Sequence, residues 1–287
     1  MKFRAFFWGV LVCFTGHVFG HLPAEPEKRI TYTDNGLIEE AFVTYATANY
    51  FPLVEALLDS IKVFSTRPIV VFGVNADIPF SSDKYPFMVK KRIDLDSQSK
   101  ESVFFAKPKA ILESGVLRGI YVDSDIVLNV GFDVLFEQCK RDVTYPICPT
   151  FPWEVDNQQP LMQALGISNK SMQYVHAPLI IFTKNCIPFM QEWRQVNLDY
   201  GNLAACHDET VLNVLLWKYN VNDYVNLCDP YYALAYDYLN GGTNEHQYHG
   251  YKNWVGKIDF LTFHGCKDGN EAKRILEKLI ERANHKQ

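Results

Sequence analysis

The stretch Gly119–Leu128, GIYVDSDIVL, decides how the chain is interpreted, because it joins a buried strand to two carboxylates. Apolar residues on both sides of its centre are typical of a strand covered on both faces of a sheet. Asp123 and Asp125 interrupt it, and burying two like charges without a partner is unfavourable. At a spacing of two in an extended chain their side chains point the same way, which predicts that they hold one shared partner.

The segments around this stretch alternate between strand and helix patterns, which predicts an α/β fold with a mostly parallel central sheet flanked by helices. Before it, strands are predicted over 41–47, 68–74 and 87–93, and helices over 51–64 and 99–116. Pro108 is expected near the start of the second helix or at a kink in it. After it, strands are predicted over 177–182 and 258–265, and helices over 187–200, 208–219 and 270–282. The aromatic segment 231–254 is interpreted as partly loop.

The N-terminus has the pattern of a secretory signal. Lys2 and Arg4 precede an apolar run that is shorter than the roughly 20 residues of a membrane span. We therefore divide the chain into a signal peptide (1–20), a polar lead-in (21–40) and one folded domain (41–287). The predicted location is the secretory-pathway lumen or the outside of the cell. The alternative is a type II signal anchor, and no stable membrane span is expected unless the signal is retained.

Composition narrows the function further. A formal net charge of −5 gives no reason to expect a nucleic acid partner. Six of the seven cysteines lie outside the signal, and in an oxidising compartment this even number suggests disulfides. Asn169-Lys170-Ser171 is a candidate glycosylation acceptor on a surface loop.

The two aspartates are predicted to bind a divalent cation. They follow a strand, and in open α/β sheets ligands bind beyond the carboxyl ends of the strands. Carboxylate oxygens suit Mg²⁺ or Mn²⁺, and the cation would in turn bind a phosphate. A calcium loop is excluded because Val134 occupies the twelfth position, where a glutamate would be needed. The alternative is structural, since Asp-x-Asp is common in turns and at helix starts.

Six stretches in the same order resemble a known enzyme family. YVDSD resembles the Asp-x-Asp motif of GT-A glycosyltransferases, especially family 8, the glycogenin-like and bacterial galactosyltransferase-like enzymes. The five other stretches that resemble this family are AFVTYATANY (41–50), FAKPKA (105–110), HAPLIIF (176–182), HDETVLN (207–213) and FHGCK (263–267). The resemblance implies a single GT-A domain, which is Rossmann-like, over nearly the whole chain after the signal.

The resemblance also implies roles for particular residues. Metal ligands would be Asp123, Asp125 and His264, and the histidine favours Mn²⁺ over Mg²⁺. Residues that would bind the nucleotide sugar are Tyr45, Thr47, Lys107, Ser124, Gly265 and Lys267, besides the two aspartates. Asp208 would face the reacting sugar, with Glu209 as the other candidate catalytic carboxylate.

Simpler interpretations of these residues stay open from the sequence alone. Tyr45 and Thr47 fit plain strand packing. Lys109 and Arg118 are alternatives to Lys107 and Lys267 as the residues that would bind the diphosphate. Asp208 fits a helix N-cap.

The implied function is metal-dependent transfer of a sugar, with retention, from a nucleotide sugar to a glycan or glycoprotein acceptor, and a UDP-sugar is the expected donor. The sequence departs from the family at His176, Pro178 and Glu209, which stand where the family has Asn, Gly and Gln, and FHGCK is shorter than the family segment. One alternative function is an inactive secreted protein that binds a nucleotide or sugar. The other is a nucleotidyltransferase, although no G-x-G-x-x-G loop follows the first strand.

Overall fold

A computed structural model describes most of the chain after residue 29. The described residues are 30–285, except for 96–101, 130, 140–141, 150–156, 169–172, 205–206, 222–226, 233–248, 254–258 and 263–267. The predicted signal peptide and the glycosylation acceptor therefore lie outside the described residues.

A five-stranded sheet forms the centre of the fold. Its strands are β1 (Ile38–Ala46), β2 (Ile69–Val74), β3 (Met88–Ile93), β4 (Val116–Val122) and β6 (Leu179–Thr183), in the order β3-β2-β1-β4-β6. The first four are parallel and β6 runs antiparallel to β4, so the predicted mostly parallel sheet is confirmed. β2 is buried along its whole length, as its uninterrupted apolar sequence predicts.

Three strands, β7 (Leu227–Tyr232), β8 (His249–Asn253) and β9 (Asp259–Thr262), form a second sheet with β5 (Ile126–Leu128). Its order is β5-β9-β8-β7 and its pairings are antiparallel. β8 lies in the segment that the sequence analysis interpreted as partly loop, and β9 lies within the predicted strand over 258–265. The stretch Gly119–Leu128 therefore contributes one strand to each sheet, with the acidic residues between them.

Seven α-helices lie in the described part of the chain. They are α1 (Phe51–Phe64), α2 (Lys107–Glu113), α3 (Phe136–Cys139), α4 (Gln159–Ala164), α5 (Ile187–Tyr200), α6 (His207–Lys218) and α7 (Gly269–His285). α1 and α5 have the predicted limits. None of these helices is long and apolar enough to span a membrane.

The prediction of one helix over 99–116 is wrong. Val103–Phe105 forms a single 3₁₀ turn, in which the Ser102 side chain accepts from the backbone N–H of Phe104, and α2 begins only at Lys107. Pro108 lies in the first turn of α2, where a missing N–H costs nothing. The chain then leaves α2 and enters β4 at Val116.

The predicted disulfides are not present among the cysteines whose side chains are described. Cys139, Cys148 and Cys186 are buried free thiols. The Cys139 thiol donates to the carbonyl of Gly119, and the Cys186 thiol donates to the carbonyl of Val143. The side chains of Cys206, Cys228 and Cys266 lie outside the described part.

Candidate active site

The acidic residues lie at the carboxyl edge of the central sheet, as predicted. Asp123 follows Val122, the last residue of β4, and its backbone N–H donates to the carbonyl of Pro178 over 2.9 Å. The neighbouring strand β1 ends at Ala46 in parallel with β4. Because parallel strands end at the same edge, Tyr45 and Thr47 reach the same region of the molecule.

The expectation that Asp123 and Asp125 share an extended segment is wrong. The chain turns at these residues, and the backbone N–H of Ile126 donates to the carbonyl of Asp123 over 3.3 Å. Ser124 lies between them in the turn and is half-buried. The turn arises because β4 and β5 belong to different sheets, so the chain has to change direction between them. We call Asp123–Asp125 the acidic turn.

Lys107 joins three parts of the fold at this site. Its ammonium Nζ lies 3.1 Å from Oδ1 of Asp123 and 3.0 Å from Oδ2 of Asp208, and it donates to the carbonyl of Ala177 over 2.9 Å. The contact with Asp208 is an ion pair without hydrogen-bond geometry. Nζ of Lys107 also lies 5.1 Å from the centre of the Tyr121 ring, within cation–π range. The side chain is 5% exposed, so these protein groups replace water around the charge.

The charges at Lys107 stabilise one another against burial. Burial acts to lower the pKa of Lys107, but the carboxylates of Asp123 and Asp208 outweigh it and raise that pKa well above its usual value. Burial raises the pKa of Asp208 to about 6, although Lys107 acts in the opposite direction. The predicted contact of Lys107 with a diphosphate stays a prediction. In this structure its ammonium contacts protein oxygens.

Tyr121 is a site residue that the sequence analysis missed. Its hydroxyl donates to Oδ1 of Asp123 over 2.8 Å, and the side chain is buried. The spacing could have indicated this contact, because residues two apart on a strand lie on the same face and Tyr121 precedes Asp123 by two. The hydrogen bond and Lys107 together fix one carboxylate oxygen of Asp123.

The acidic turn fits a divalent cation. Burial, and then repulsion from Asp123, raise the pKa of Asp125 to about 7. Within the described ranges, no basic side chain forms an ion pair with Asp125, although Lys107 lies close enough to oppose the shift. Two carboxylates that are only partly compensated by protein are a donor set that suits Mg²⁺ or Mn²⁺. Among those same ranges, no group of three metal-ligating side chains is brought together.

The third predicted metal ligand, His264, lies outside the described residues. The same holds for Gly265 and Lys267. Their predicted contacts with a metal and a diphosphate stay predictions. β9 ends at Thr262, two residues before His264, and pairs with β5, which begins directly after the acidic turn.

Tyr45 and Thr47 lie beside the site, but with different surroundings. The Tyr45 hydroxyl donates to the carbonyl of Val103 over 3.1 Å, and its ring centre lies 6.0 Å from that of Tyr121. This hydrogen bond joins β1 to the 3₁₀ turn that precedes Lys107. Thr47 follows the strand, is half-buried and makes no capping hydrogen bond with its side chain. Their predicted roles in a nucleotide pocket stay predictions.

The interpretation of Asp208 as an N-cap is wrong, because α6 already begins at His207. Asp208 is therefore the second residue of the helix, and its carboxylate extends to Lys107. Of the competing basic candidates Lys109 and Arg118, Arg118 pairs with Glu40 at 3.4 Å, whereas the acidic turn is paired with Lys107 through Asp123.

Glu209, the second candidate catalytic carboxylate, is buried and 7% exposed. Its Oε1 accepts from the Tyr174 hydroxyl over 2.8 Å, and its Oε2 accepts from the backbone N–H of Ala177 over 2.9 Å. Nε2 of His176 lies 3.6 Å from the same oxygen. Burial raises the pKa of Glu209 to about 7, although the two hydrogen bonds act in the opposite direction. These partners lie more than 30 residues away, so no local pattern predicts them.

The fold that carries this site is that of the GT-A glycosyltransferases. It is similar to the solved structure of the galactosyltransferase LgtC in complex with donor and acceptor sugar analogs, with a TM-score of 0.54, 12% identity, and 84% of this chain and 95% of LgtC covered. It is also similar to an LgtC mutant with an active-site glutamine replaced by glutamate, with a TM-score of 0.50, 13% identity, and 72% and 79% covered. At these low identities the structural similarity shows a shared fold alone.

A third solved structure, the glycosyltransferase GlyE of Streptococcus pneumoniae, matches with a TM-score of 0.46 and 17% identity over 70% of this chain and 49% of GlyE. No model of a known protein family and no curated protein sequence matches the chain.

Proposed function

We propose that the protein is a metal-dependent glycosyltransferase that moves a sugar from a UDP-sugar to a glycan or glycoprotein acceptor in the secretory pathway, with retention of anomeric configuration. The observation that carries this proposal is the cluster of Lys107, Asp123 and Asp208 beside the acidic turn, at the carboxyl edge of a sheet with the LgtC fold. LgtC itself was solved with donor and acceptor sugar analogs.

The acidic turn would hold the cation through Asp123 and Asp125, with His264 as a third ligand. The bound cation would neutralise the diphosphate, which is otherwise a poor leaving group. Tyr121 and Lys107 support this role from the protein side, because they fix one oxygen of Asp123 and so hold its carboxylate in one orientation.

The other groups at the site suit a positively charged transition state. Glycosyl transfer passes through an oxocarbenium-like state, as glycoside hydrolysis does. Asp208 contributes a carboxylate beside Lys107, and its ionised form would stabilise positive charge on the anomeric carbon. Because burial raises its pKa to about 6, Asp208 is ionised at neutral pH and becomes protonated in mild acid. Retention is proposed from the resemblance of the six stretches to the family as a whole, and not from any single residue of the site.

The compartment is proposed from residues 1–20, whose basic start and short apolar run have the pattern of a secretory signal. An enzyme delivered there would meet glycans and glycoproteins as acceptors. The alternative of a type II anchor would leave the domain on the same side of the membrane.

The test is a donor screen with the purified protein, in which the release of UDP from UDP-sugars is measured with Mn²⁺, with Mg²⁺ and with EDTA. We expect UDP release from at least one donor, including slow hydrolysis without acceptor, and loss of release in EDTA and in Asp125→Ala. Anomeric configuration of the product, read by NMR, decides retention.

Two outcomes would reject this function. Release of pyrophosphate instead of UDP would identify a nucleotidyltransferase. Tight, Mn²⁺-dependent binding of UDP with no turnover of any donor would identify an inactive binding protein.

A further inference from the structure

The segment before β6 is held against α6 by two side chains of that helix. Glu209 binds the Tyr174 hydroxyl and the Ala177 N–H. One helical turn later, Asn213 binds both backbone groups of Val175, donating to its carbonyl over 2.9 Å and accepting from its N–H over 2.8 Å. Residues four apart lie on the same face of a helix, so the two side chains act on one segment.

From this arrangement we infer that Glu209 is a positioning residue, which holds Ala177 and through it Lys107, and is not the group that attacks the sugar. The inference rests on the proposed function and deepens it, because it removes one of the two candidate catalytic carboxylates. Each carboxylate oxygen of Glu209 accepts a hydrogen bond from a buried donor. These two bonds hold both oxygens toward the segment before β6 and draw charge from the carboxylate, so they weaken it as a nucleophile toward an anomeric carbon.

Ala177 transmits the effect to the cluster of charges. Its N–H donates to Glu209, and its carbonyl accepts from Nζ of Lys107 over 2.9 Å. The same ammonium pairs with Asp123 and Asp208. If the backbone at Ala177 moved, the carbonyl would move away from Lys107. The nearly fully buried ammonium would then lose one of its acceptors and would shift relative to the two aspartates. Glu209 therefore fixes the position of Lys107 without touching it.

Four variants test the inference. Glu209→Gln keeps an oxygen that can accept from Ala177 and an amide that can donate to the Tyr174 oxygen, whereas Glu209→Ala keeps neither. Tyr174→Phe removes one hydrogen bond to the carboxylate. Tyr85→Phe is the matched control, because the buried Tyr85 hydroxyl also donates to a carboxylate, that of Asp59 over 2.7 Å. Tyr85 lies three residues before β3, at the opposite edge of the central sheet from β6.

Two measurements are made on each variant. Steady-state kinetics of UDP release separate kcat from KM, and hydrogen exchange reports the protection of the Ala177 amide. We expect Glu209→Gln to retain kcat within about fivefold, and Glu209→Ala to lose about a hundredfold with a much faster exchange of the Ala177 amide. Tyr174→Phe should lose kcat by about tenfold. Tyr85→Phe should keep both kcat and the protection of Ala177.

A loss of kcat by about a thousandfold or more in Glu209→Gln, with Ala177 protection unchanged, would overturn the inference, because it would show that the carboxylate itself reacts. Unchanged exchange of Ala177 in Glu209→Ala would also overturn it. If the wild-type protein neither turns over nor binds a UDP-sugar, the proposed function fails. The exchange data then still decide whether Glu209 holds Ala177.

Discussion

At the scale of single residues, the site is organised by one buried ammonium. Lys107 pairs with Asp123 in the acidic turn after β4 and with Asp208 in α6, and no pair of these three residues is close in sequence. A buried ion pair that loses one member leaves an uncompensated charge, and this typically costs about 3–5 kcal/mol. Asp125 is the exception in this network, because repulsion from Asp123 adds to the effect of its burial.

Asp125→Asn is therefore expected to stabilise the metal-free protein in a pH-dependent way. The pKa of Asp125 is about 7 in the folded protein, against about 4 for an unfolded aspartate. The folded state of the wild type holds the Asp125 proton more tightly than the unfolded state does. The stability that this proton contributes to the wild type is therefore fully present below about pH 4 and is lost as the pH rises through about 7. Asn removes the ionisation, so the melting temperature in EDTA should rise by about 2–5 °C at pH 8 and should not change at pH 4.

Melting curves of the wild type and the variant between pH 4 and pH 8 check this expectation. Asp83→Asn, which removes a carboxylate at an exposed position, is the matched control. If Asp125→Asn instead lowers the melting temperature at pH 8, the carboxylate has a stabilising partner and the account of the acidic turn is wrong.

At the scale of elements, the pairing of β4 with β6 depends on a close approach. Gly119 lies opposite Phe182, and a Cβ on Gly119 would lie 2.3 Å from the phenylalanine ring. The strand therefore needs glycine here, even though glycine weakens strands in general. Ala177, which contacts Lys107, lies two residues before β6. The contact between Gly119 and Phe182 therefore also affects how the segment at Ala177 enters the sheet.

Gly119→Ala is expected to destabilise the protein by about 1–3 kcal/mol through overpacking against Phe182. Urea unfolding measures the loss. The double variant Gly119→Ala, Phe182→Leu should recover part of it, because a smaller side chain leaves room for the new methyl group, and the two effects should then be non-additive. A Gly119→Ala variant as stable as the wild type would contradict the close approach.

The sequence predicted elements well where an apolar pattern was local and uninterrupted. Phe51–Phe64 has its helix limits because Pro52 suits a helix start and apolar residues recur on one face. The helix predicted over 99–116 failed because Ser102 and Pro108 each start a new turn, which apolar spacing does not register.

The same distinction applies to the site. The residues Asp123, Lys107 and Asp208 could be found from motifs, since each belongs to a recognisable stretch. Ala177 could not, because it acts through its backbone N–H and carbonyl, and these atoms are common to almost every residue. Tyr174 was missed for a related reason, since its partner Glu209 lies 35 residues away.

At the scale of the whole molecule, α7 closes the domain by packing on α1. Ala272, Ile275, Leu276 and Leu279 form a buried cluster with Leu53, Ala56 and Phe64 of α1 and with Val127 of β5. Because β5 directly follows the acidic turn, the packing of α7 against Val127 stabilises the strand next to the site. The chain is thus stabilised through packing and not, in its described part, through disulfides.

Thiol counting tests this view of the molecule. Burial raises the pKa of Cys139 to about 12 and that of Cys186 to about 11, so neither forms the reactive thiolate in the folded protein. We expect at least three thiols to react with a thiol reagent in guanidinium chloride without reductant, and these three to react far more slowly in native buffer. Fewer than three reactive thiols after denaturation would show that at least one of Cys139, Cys148 and Cys186 is oxidised.

The proposed function requires that the acidic turn and its cation form a nucleotide-sugar site. The most direct test is isothermal calorimetry of the purified protein with UDP, with and without Mn²⁺, beside Asp125→Ala. We predict UDP binding that requires Mn²⁺ and is lost in the variant, because the cation joins the carboxylates to the diphosphate. UDP binding that is indifferent to Mn²⁺ and to Asp125, or no binding at all, would show that the aspartates have a structural role and would contradict the account.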